Sequence, residues 1–142
     1  MIHNVSFRTF VYGTEDEEKV VSALNHIFPT ILPEKEISED AYGNKIIVLS
    51  NRITKKRIIR DFISFLNKNL SDEDKNTIKK ELSQRIDEKG NMFLRFDKQE
   101  AYDEKIKLSY SGDVIHVRIK IASYPVSKEN AINVAHKIFN FL

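Results

Sequence analysis

The sequence contains no cysteine and no tryptophan, and only four glycines and three prolines among its 142 residues. The missing cysteine excludes disulfide bonds, thiolate catalysis and cysteine-ligated zinc, and it is compatible with a reducing cytoplasm. No apolar run reaches the length of a signal peptide or a membrane span, so we expect a cytoplasmic protein without membrane contact. The formal net charge is only +2, so any polyanion site has to come from local clustering of charge.

The common signatures of catalysis and metal binding are also missing. The four histidines lack metal-ligand spacing, and there is no Walker loop, zinc-protease motif or dinucleotide-binding glycine motif. We therefore expect no enzymatic activity, no cofactor and no bound metal. A weaker alternative is a metal-dependent nuclease, whose site would have to gather Asp97, Asp103, Glu104 and Asp113.

What the sequence does contain is typical of one folded domain over residues 1–142. The hydrophobic fraction is 41% and the charged fraction 31%, and a chain of this length can bury a substantial core. Runs rich in β-branched and aromatic residues predict strands at 5–12, 34–40, 46–49, 92–96, 106–110 and 114–122. Apolar residues at helical spacing predict three helices capped by Thr14, Thr54 and Ser71, and a closing helix over 127–142.

The order of these elements is β-α-β-β-α-α-β-β-β-α. Turn signals at 42–44 and 111–113 join neighbouring strands into two hairpins. Hairpins imply antiparallel pairing, and antiparallel sheets commonly have one face covered and one face in solvent. The sequence therefore predicts an α+β fold of two layers, with a mostly antiparallel sheet and the helices packed on one face.

The predicted second helix begins with bases, although the positive end of a helix dipole favours acids. Its basic cluster contains no acid within it, whereas the helices near Thr14 and Ser71 open with acids. The cluster is either a solvated face or a phosphate site, since helix N-terminal amides and adjacent cations bind phosphate well. Its members are Arg52, Lys55, Lys56, Arg57 and Arg60.

Strict alternation in three strands places cations and rings on the side opposite to the predicted core. Rings among cations suit stacked bases and a phosphate backbone, and we expect Phe10 and Phe93 to be at least partly exposed. The alternative is an ordinary solvated face whose rings are covered by a loop or by a second subunit. The residues of this predicted helix-free face are Arg8, Phe10, Phe93, Arg95, His116, Arg118 and Lys120.

Four segments, at 5–15, 42–44, 91–99 and 114–121, resemble the archaeal RNA-binding family described as predicted exosome subunits. The most specific of them is the run Phe-Leu-Arg-Phe-Asp-Lys-Gln at 93–99. The resemblance implies a compact α+β domain with the ribosomal-protein-L-five-like fold, and RNA binding alongside the RNA-degrading exosome. It also implies Arg95, Asp97 and Lys98 as candidate contacts, although Asp97 and Lys98 could equally pair and hold a turn.

The leading hypothesis is a non-catalytic RNA-binding module of an archaeal cytoplasm. It would contact mainly phosphates, with little sequence specificity, and exosome subunits are candidate protein partners. The alternative is a protein-interaction or dimerisation module without direct RNA binding. Its motive is the apolar excess of the last helix, where Val134 and Phe141 lie off the main apolar stripe.

Overall fold

The computed structural model describes residues 1–110 and 112–142. Its strands are β1 (Ile2–Val11), β2 (Glu34–Glu39), β3 (Lys45–Ile53), β4 (Asn91–Asp97) and β5 (Val114–Ile121). Its helices are α1 (Glu17–Ile27), α2 (Lys56–Asn69), α3 (Asp72–Lys80), α4 (Leu82–Arg85), α5 (Lys98–Tyr102) and α6 (Lys128–Ile138).

The strands form an antiparallel sheet in the order β2-β3-β1-β5-β4. The first strand is therefore the middle one, and it pairs with β3 on one side and with β5 on the other. Strand β2 pairs only with β3, and all six of its residues are exposed at the edge of the sheet. The predicted α+β class and antiparallel sheet are confirmed.

Alternation along the strands separates the two faces of the sheet. On β1, Val5, Phe7, Thr9 and Val11 are buried, whereas Arg8 between them is exposed. The buried side chains of β5 and β4 alternate in the same way, because successive residues of a strand point to opposite faces. The core lies between this buried face and the helices, which leaves the other face of the sheet open.

A stack of three phenylalanine rings joins the sheet to two helices. Phe28, at the end of α1, lies with its ring centroid 4.7 Å from that of Phe7 on β1 and 4.7 Å from that of Phe62 on α2. All three rings are buried, and each interplanar angle is below 25°. Burial of three large rings in contact contributes strongly to the free energy of folding.

One predicted helix cap is confirmed and two are wrong. Ser71 accepts a hydrogen bond from the amide of Asp74, and Ser127, at the start of the predicted closing helix, accepts one from the amide of Asn130. Helix α1 is capped by Asp16, whose carboxylate accepts from the Glu18 amide at 3.0 Å, so Thr14 is not its cap. Helix α2 starts later than predicted, and its N-cap residue is a lysine without a side-chain cap bond.

The predicted strand at 106–110 is wrong, and so is its hairpin with β5. The short helix α5 reverses the chain, so this segment runs back along the outer edge of β4 instead. There Leu108 forms a β-bridge with Phe96, and its amide donates to the buried carboxylate of Asp74 at 3.0 Å. Strand β5 pairs antiparallel with β4. Position 111 of the predicted turn lies outside the described residues.

The apolar excess of the last helix is used within the fold. Val134 and Phe141 are half-buried and pack against the core. They therefore do not form the exposed apolar surface on which the dimerisation alternative was based. The helix ends at Ile138, earlier than predicted, with Phe139 as its buried C-cap residue. Across residues 1–110 and 112–142, no helix has both the length and the apolar character needed to span a membrane.

Replacing Phe28 with alanine should destabilise the protein by about 3–5 kcal/mol, because it removes the central ring of the stack and leaves a cavity. Urea unfolding followed by circular dichroism would measure this change. Leu32→Ala is the matched control, since Leu32 is 82% exposed and surface changes cost at most about 0.5 kcal/mol. Equal unfolding midpoints for the two variants would contradict the central role of the stack.

Candidate nucleic-acid interface

The open face of the sheet carries a first cross-strand row at its centre. Arg8 on β1 is paired with Ser50 on β3 and with His116 on β5, and His116 is paired in turn with Arg95 on β4. Residues paired in an antiparallel sheet point to the same face, with Cβ atoms about 4.5–5.5 Å apart. Two arginines therefore flank the imidazole, and Glu34 ends the row on β2.

A second row lies two residues away along the strands. Ser6 on β1 is paired with Arg52 on one side and with Arg118 on the other, and Arg118 is paired with Phe93 on β4. The two rows line one shallow cavity of about 600 Å³. We call it the open-face site, defined by Arg8, Arg52, Phe93, Arg95, His116 and Arg118.

The four arginines of the open-face site lack acidic partners. Among the described residues, the ion pairs involve only Lys35, Arg85 and Lys98 as cations. The Arg8 guanidinium instead lies 5.6 Å from the centre of the Phe10 ring, and Arg118 Nη2 lies 3.5 Å from Ser6 Oγ. Unneutralised cations side by side repel one another, and a bound anion would convert this repulsion into attraction.

The pKa of the His116 imidazole is affected by the positive charges of the site. Partial burial lowers the pKa of its imidazole, and the charges of Arg95 and Arg8 lower the pKa further. The ring is therefore mainly neutral at pH 7, when it can accept a hydrogen bond at one nitrogen and donate one from the other. An anion placed between Arg8 and Arg95 would raise this pKa again, because it would offset the repulsion felt by the imidazolium.

Both predicted stacking rings are accessible, as expected from the sequence. Phe93 is 43% exposed, and Phe10 is partly exposed on the same face. Phe93 adjoins Arg118, whereas Phe10 lies beneath the Arg8 guanidinium. An accessible ring beside a guanidinium offers an apolar plane for a base and a donor group for the adjoining phosphate.

The structure divides the basic cluster of the second predicted helix. Arg52 ends on the open face, whereas Lys56, Arg57 and Arg60 border a separate cavity of about 900 Å³ on the helix side, beside Lys137. The N-cap residue Lys55 makes no side-chain cap bond, and the first turn of α2 holds no acid. The start of α2 therefore combines uncapped amides with a cluster of cations.

Lys120 and Lys98 do not join either group. Lys120 follows the alternation of the open face, but its ammonium donates to the Lys89 carbonyl and it does not line the cavity. Lys98 is fully buried, so its prediction as an RNA contact is wrong. A lysine can be buried only where its charge is compensated, and local sequence pattern does not show such compensation.

The Lys98 ammonium lies at a junction between four segments. It contacts a carboxylate oxygen of Glu15 at 2.8 Å, one of Asp113 at 2.7 Å and the Phe10 carbonyl at 2.7 Å. Tyr102 donates to the other oxygen of Glu15 at 2.7 Å. We call this arrangement the lysine junction, and it ties α5 to β1, to the loop before α1 and to the start of β5.

Ionised Glu15 stabilises the lysine junction. Burial raises the pKa of its carboxyl group, but hydrogen bonds from Lys98, Tyr102 and the Tyr12 amide outweigh burial, so the pKa is lowered overall. Because the folded-state pKa is the lower one, this carboxylate stabilises the fold above its unfolded-state pKa. The contribution is lost as the pH falls through the folded-state value. Burial and the same carboxylate raise the pKa of Tyr102.

Two of the four acids proposed for a nuclease site have other roles. Asp97 caps α5 by accepting from the Glu100 amide at 3.0 Å, and Asp113 is paired with Lys98. Asp97 and Lys98 therefore do not pair with each other, contrary to one alternative from the sequence. In the described part of the chain, no three histidine or acidic side chains are grouped so that they could hold a metal ion.

Comparison with known proteins identifies the family. The model of the family described as RNA binding matches residues 4–121. The chain belongs to this family. It is 40% identical over 136 residues to the RNA-binding protein PAB1135 of Pyrococcus abyssi, which covers 92% of this chain and 88% of that protein.

Solved structures of related proteins share the fold over nearly the whole chain. A DUF54 protein of Methanothermobacter thermautotrophicus is 41% identical, with a TM-score of 0.86 and coverage of 98% of both chains. A DUF54 family protein of Archaeoglobus fulgidus is 32% identical, with a TM-score of 0.87 and coverage of 97% of this chain and 99% of that one.

Two serines of the open face were not among the residues predicted from the sequence. Ser6 and Ser50 lie among the arginines and line the cavity, and their small side chains leave the space that the arginines surround. A signal for Ser6 was available, because it precedes Arg8 by two residues and shares its side of β1. Ser50 could be assigned only once the register between β1 and β3 was known.

Replacing Lys98 with methionine should destabilise the protein by about 3 kcal/mol, because two carboxylates then lose their buried cation. Thermal unfolding would measure the loss of stability. At temperatures well below the unfolding transition, RNA affinity should stay within about twofold of the unchanged protein, because Lys98 makes no RNA contact. Lys105→Met is the control, since Lys105 is exposed. Normal stability of Lys98→Met together with weakened RNA binding would show that Lys98 does contact RNA.

Proposed function

We propose that this protein binds RNA through the open-face site, with phosphates held by the arginines and a base stacked on Phe93. The observation that carries this proposal is the set of four arginines without acidic partners, gathered in one cavity beside a half-exposed ring. Membership of the RNA-binding family and similarity to a protein named as RNA-binding support the nucleic acid as the ligand.

The chemistry of the site suits RNA that is single-stranded where it is bound. Arginine binds phosphate through paired N–H groups, and a flat ring stacks on any unpaired base. Neither contact distinguishes one base from another, so the proposed binding has little sequence specificity. Stacking on Phe93 requires a base that is not already stacked within a duplex.

A second contact region is proposed at the start of α2. Arg52 is the last open-face residue of β3, and Lys55 follows three residues later, so their Cα atoms are at most about 11 Å apart. An RNA strand leaving the open-face site over this edge would meet the uncapped amides and cations of α2. Phosphate binding there would relieve the conflict between these cations and the helix dipole.

The proposed role is binding without catalysis. Asp97 serves as a helix cap and Asp113 as a partner of Lys98, and Glu34 is the single acid among the described residues that line the open-face cavity. Association with the archaeal exosome and the ribosomal-protein-L-five-like classification stay predictions from the family resemblance.

Changing Arg95 and Arg118 together to glutamine should weaken binding of a single-stranded oligouridine at least about tenfold, because two charge-assisted contacts are lost. The slope of log affinity against log salt should change from about −3 to about −1.6, since fewer counterions are released. Fluorescence anisotropy across a salt series would measure both quantities. Thermal stability should stay equal or rise, because two unneutralised charges are removed.

Lys55→Gln with Lys56→Gln is the matched variant, because it removes the same charge at the start of α2. A smaller loss there, again with a shallower slope, would support a second contact region. Unchanged RNA affinity and salt slope in both double variants would contradict RNA binding by either region, and would leave a protein-interaction role as the better reading.

Affinity for oligouridine should rise roughly threefold between pH 7.5 and pH 5.5, because a bound phosphate raises the pKa of His116 and binding then takes up a proton. The groups facing this imidazole are Arg8, Arg95 and Arg118, with Glu34 at the far end of its row. Anisotropy at fixed salt would measure the trend. His116→Gln should abolish most of this pH dependence, whereas the control His136→Gln, on α6, should keep it. A pH dependence that His116→Gln leaves unchanged would show that the imidazole of His116 takes no part in binding.

A further inference from the structure

The middle of the open-face site has a floor of small residues between long cations. Ser6 lies directly between Arg52 and Arg118 across the sheet, and the hydroxyl of Ser6 is 3.5 Å from Arg118 Nη2. Ser50 extends the floor, two residues from Arg52 and opposite Arg8. Each arginine is one strand spacing, about 4.8 Å, from the serine between them, so both guanidiniums can reach an anion placed over that serine.

This arrangement concentrates positive charge around one point. The internal phosphodiesters of RNA carry one negative charge each and follow one another along a line. A phosphate monoester at the end of a strand carries about 1.5 to 2 negative charges at pH 7, with three strong acceptor oxygens. Two flanking guanidiniums and a hydroxyl donor match a terminal phosphate monoester better than an internal phosphodiester, because all three acceptor oxygens of the monoester can then be bound at one place.

The surroundings of the floor fit a strand end. Phe93 lies two strands from Ser6, about 10 Å away, on the far side of Arg118. Arg8, with its guanidinium over the Phe10 ring, and Arg95 extend the positive region beyond the floor. Burial lowers the pKa of His116, and the charges of Arg95 and Arg8 lower it further, so the row beside the floor is also positive.

We propose that the floor at Ser6, flanked by Arg52 and Arg118, receives the terminal phosphate monoester of an RNA strand, with a base near that end stacked on Phe93. This inference rests on the RNA binding proposed above and adds which part of the strand is recognised. The protein would accordingly favour phosphorylated RNA ends over the interior of a strand.

Three oligouridines of equal length test this inference: one with a 5′-phosphate, one with a 3′-phosphate and one with hydroxyl groups at both ends. Each competes with a single internally labelled RNA for the full chain at pH 7.5, so that no label occupies an end. One phosphorylated strand should bind at least about fivefold more tightly than the unphosphorylated strand, as expected for the additional charge and acceptor oxygen. The two phosphorylated strands distinguish which end is bound.

Variants locate the effect. Ser6→Leu fills the floor without changing charge, and Arg118→Gln removes one flanking cation; each should reduce the end preference to less than about twofold. Ser22→Leu, at an exposed serine on α1, is the matched control for the first and Lys105→Gln, at an exposed lysine, for the second, and both should keep the preference. If Ser6→Leu fails to fold, Arg118→Gln decides alone.

The outcomes separate the two proposals. Equal affinity for all three strands, together with weaker binding by the Arg95 and Arg118 double variant, would overturn end recognition and leave RNA binding intact. No measurable binding of any strand would overturn both. An end preference that survives Ser6→Leu and Arg118→Gln would place the strand end elsewhere and would overturn the assignment to this floor.

Discussion

The lysine junction is the buried electrostatic constraint that holds distant segments of this fold together. An ammonium group with no solvent contact has to be compensated at every available direction, and here Glu15, Asp113 and a carbonyl of β1 supply that compensation. These partners come from the beginning and from the last third of the chain. Their convergence fixes where α5 begins, and Arg95 and Phe93 lie on the strand that leads directly into it.

The run at 93–99 shows how one short segment serves several parts of the molecule. Phe93 and Arg95 point to the open face, whereas Leu94 and Phe96 between them are buried in the core. Asp97 then caps α5 and Lys98 turns inward to the lysine junction. Because strand alternation divides the residues between solvent and core, any change that slips the register of β4 would remove the site and the core packing together.

The sequence was sufficient for features that depend on local periodicity. Alternation with a period of two predicted every residue of the open-face site except Arg52, which was assigned to the helix cluster. The hydrophobic stripes predicted the four longer helices but not α4 and α5. Prediction from the sequence failed where groups that are distant along the chain bind the same residue. Glu15 was assigned to the first helix start but is held by Lys98 and Tyr102, and the helix is capped by Asp16 instead. The segment at 106–110 had the composition of a strand, but α5 and the carboxylate of Asp74 direct it to the outer edge of β4.

The central position of β1 also has a consequence for biosynthesis. Its pairing with β5 joins Arg8 to His116, so most of the chain has to be made before the middle strand gains its second neighbour. Until then one edge of β1 is unpaired. Its apolar side is covered only in part, by the first two helices, while β3 pairs with its other edge. Such long-range pairing slows folding and prolongs the exposure of unpaired strand edges. Until β5 is available, the nascent chain therefore carries an unpaired edge on its central strand, to which another chain could pair.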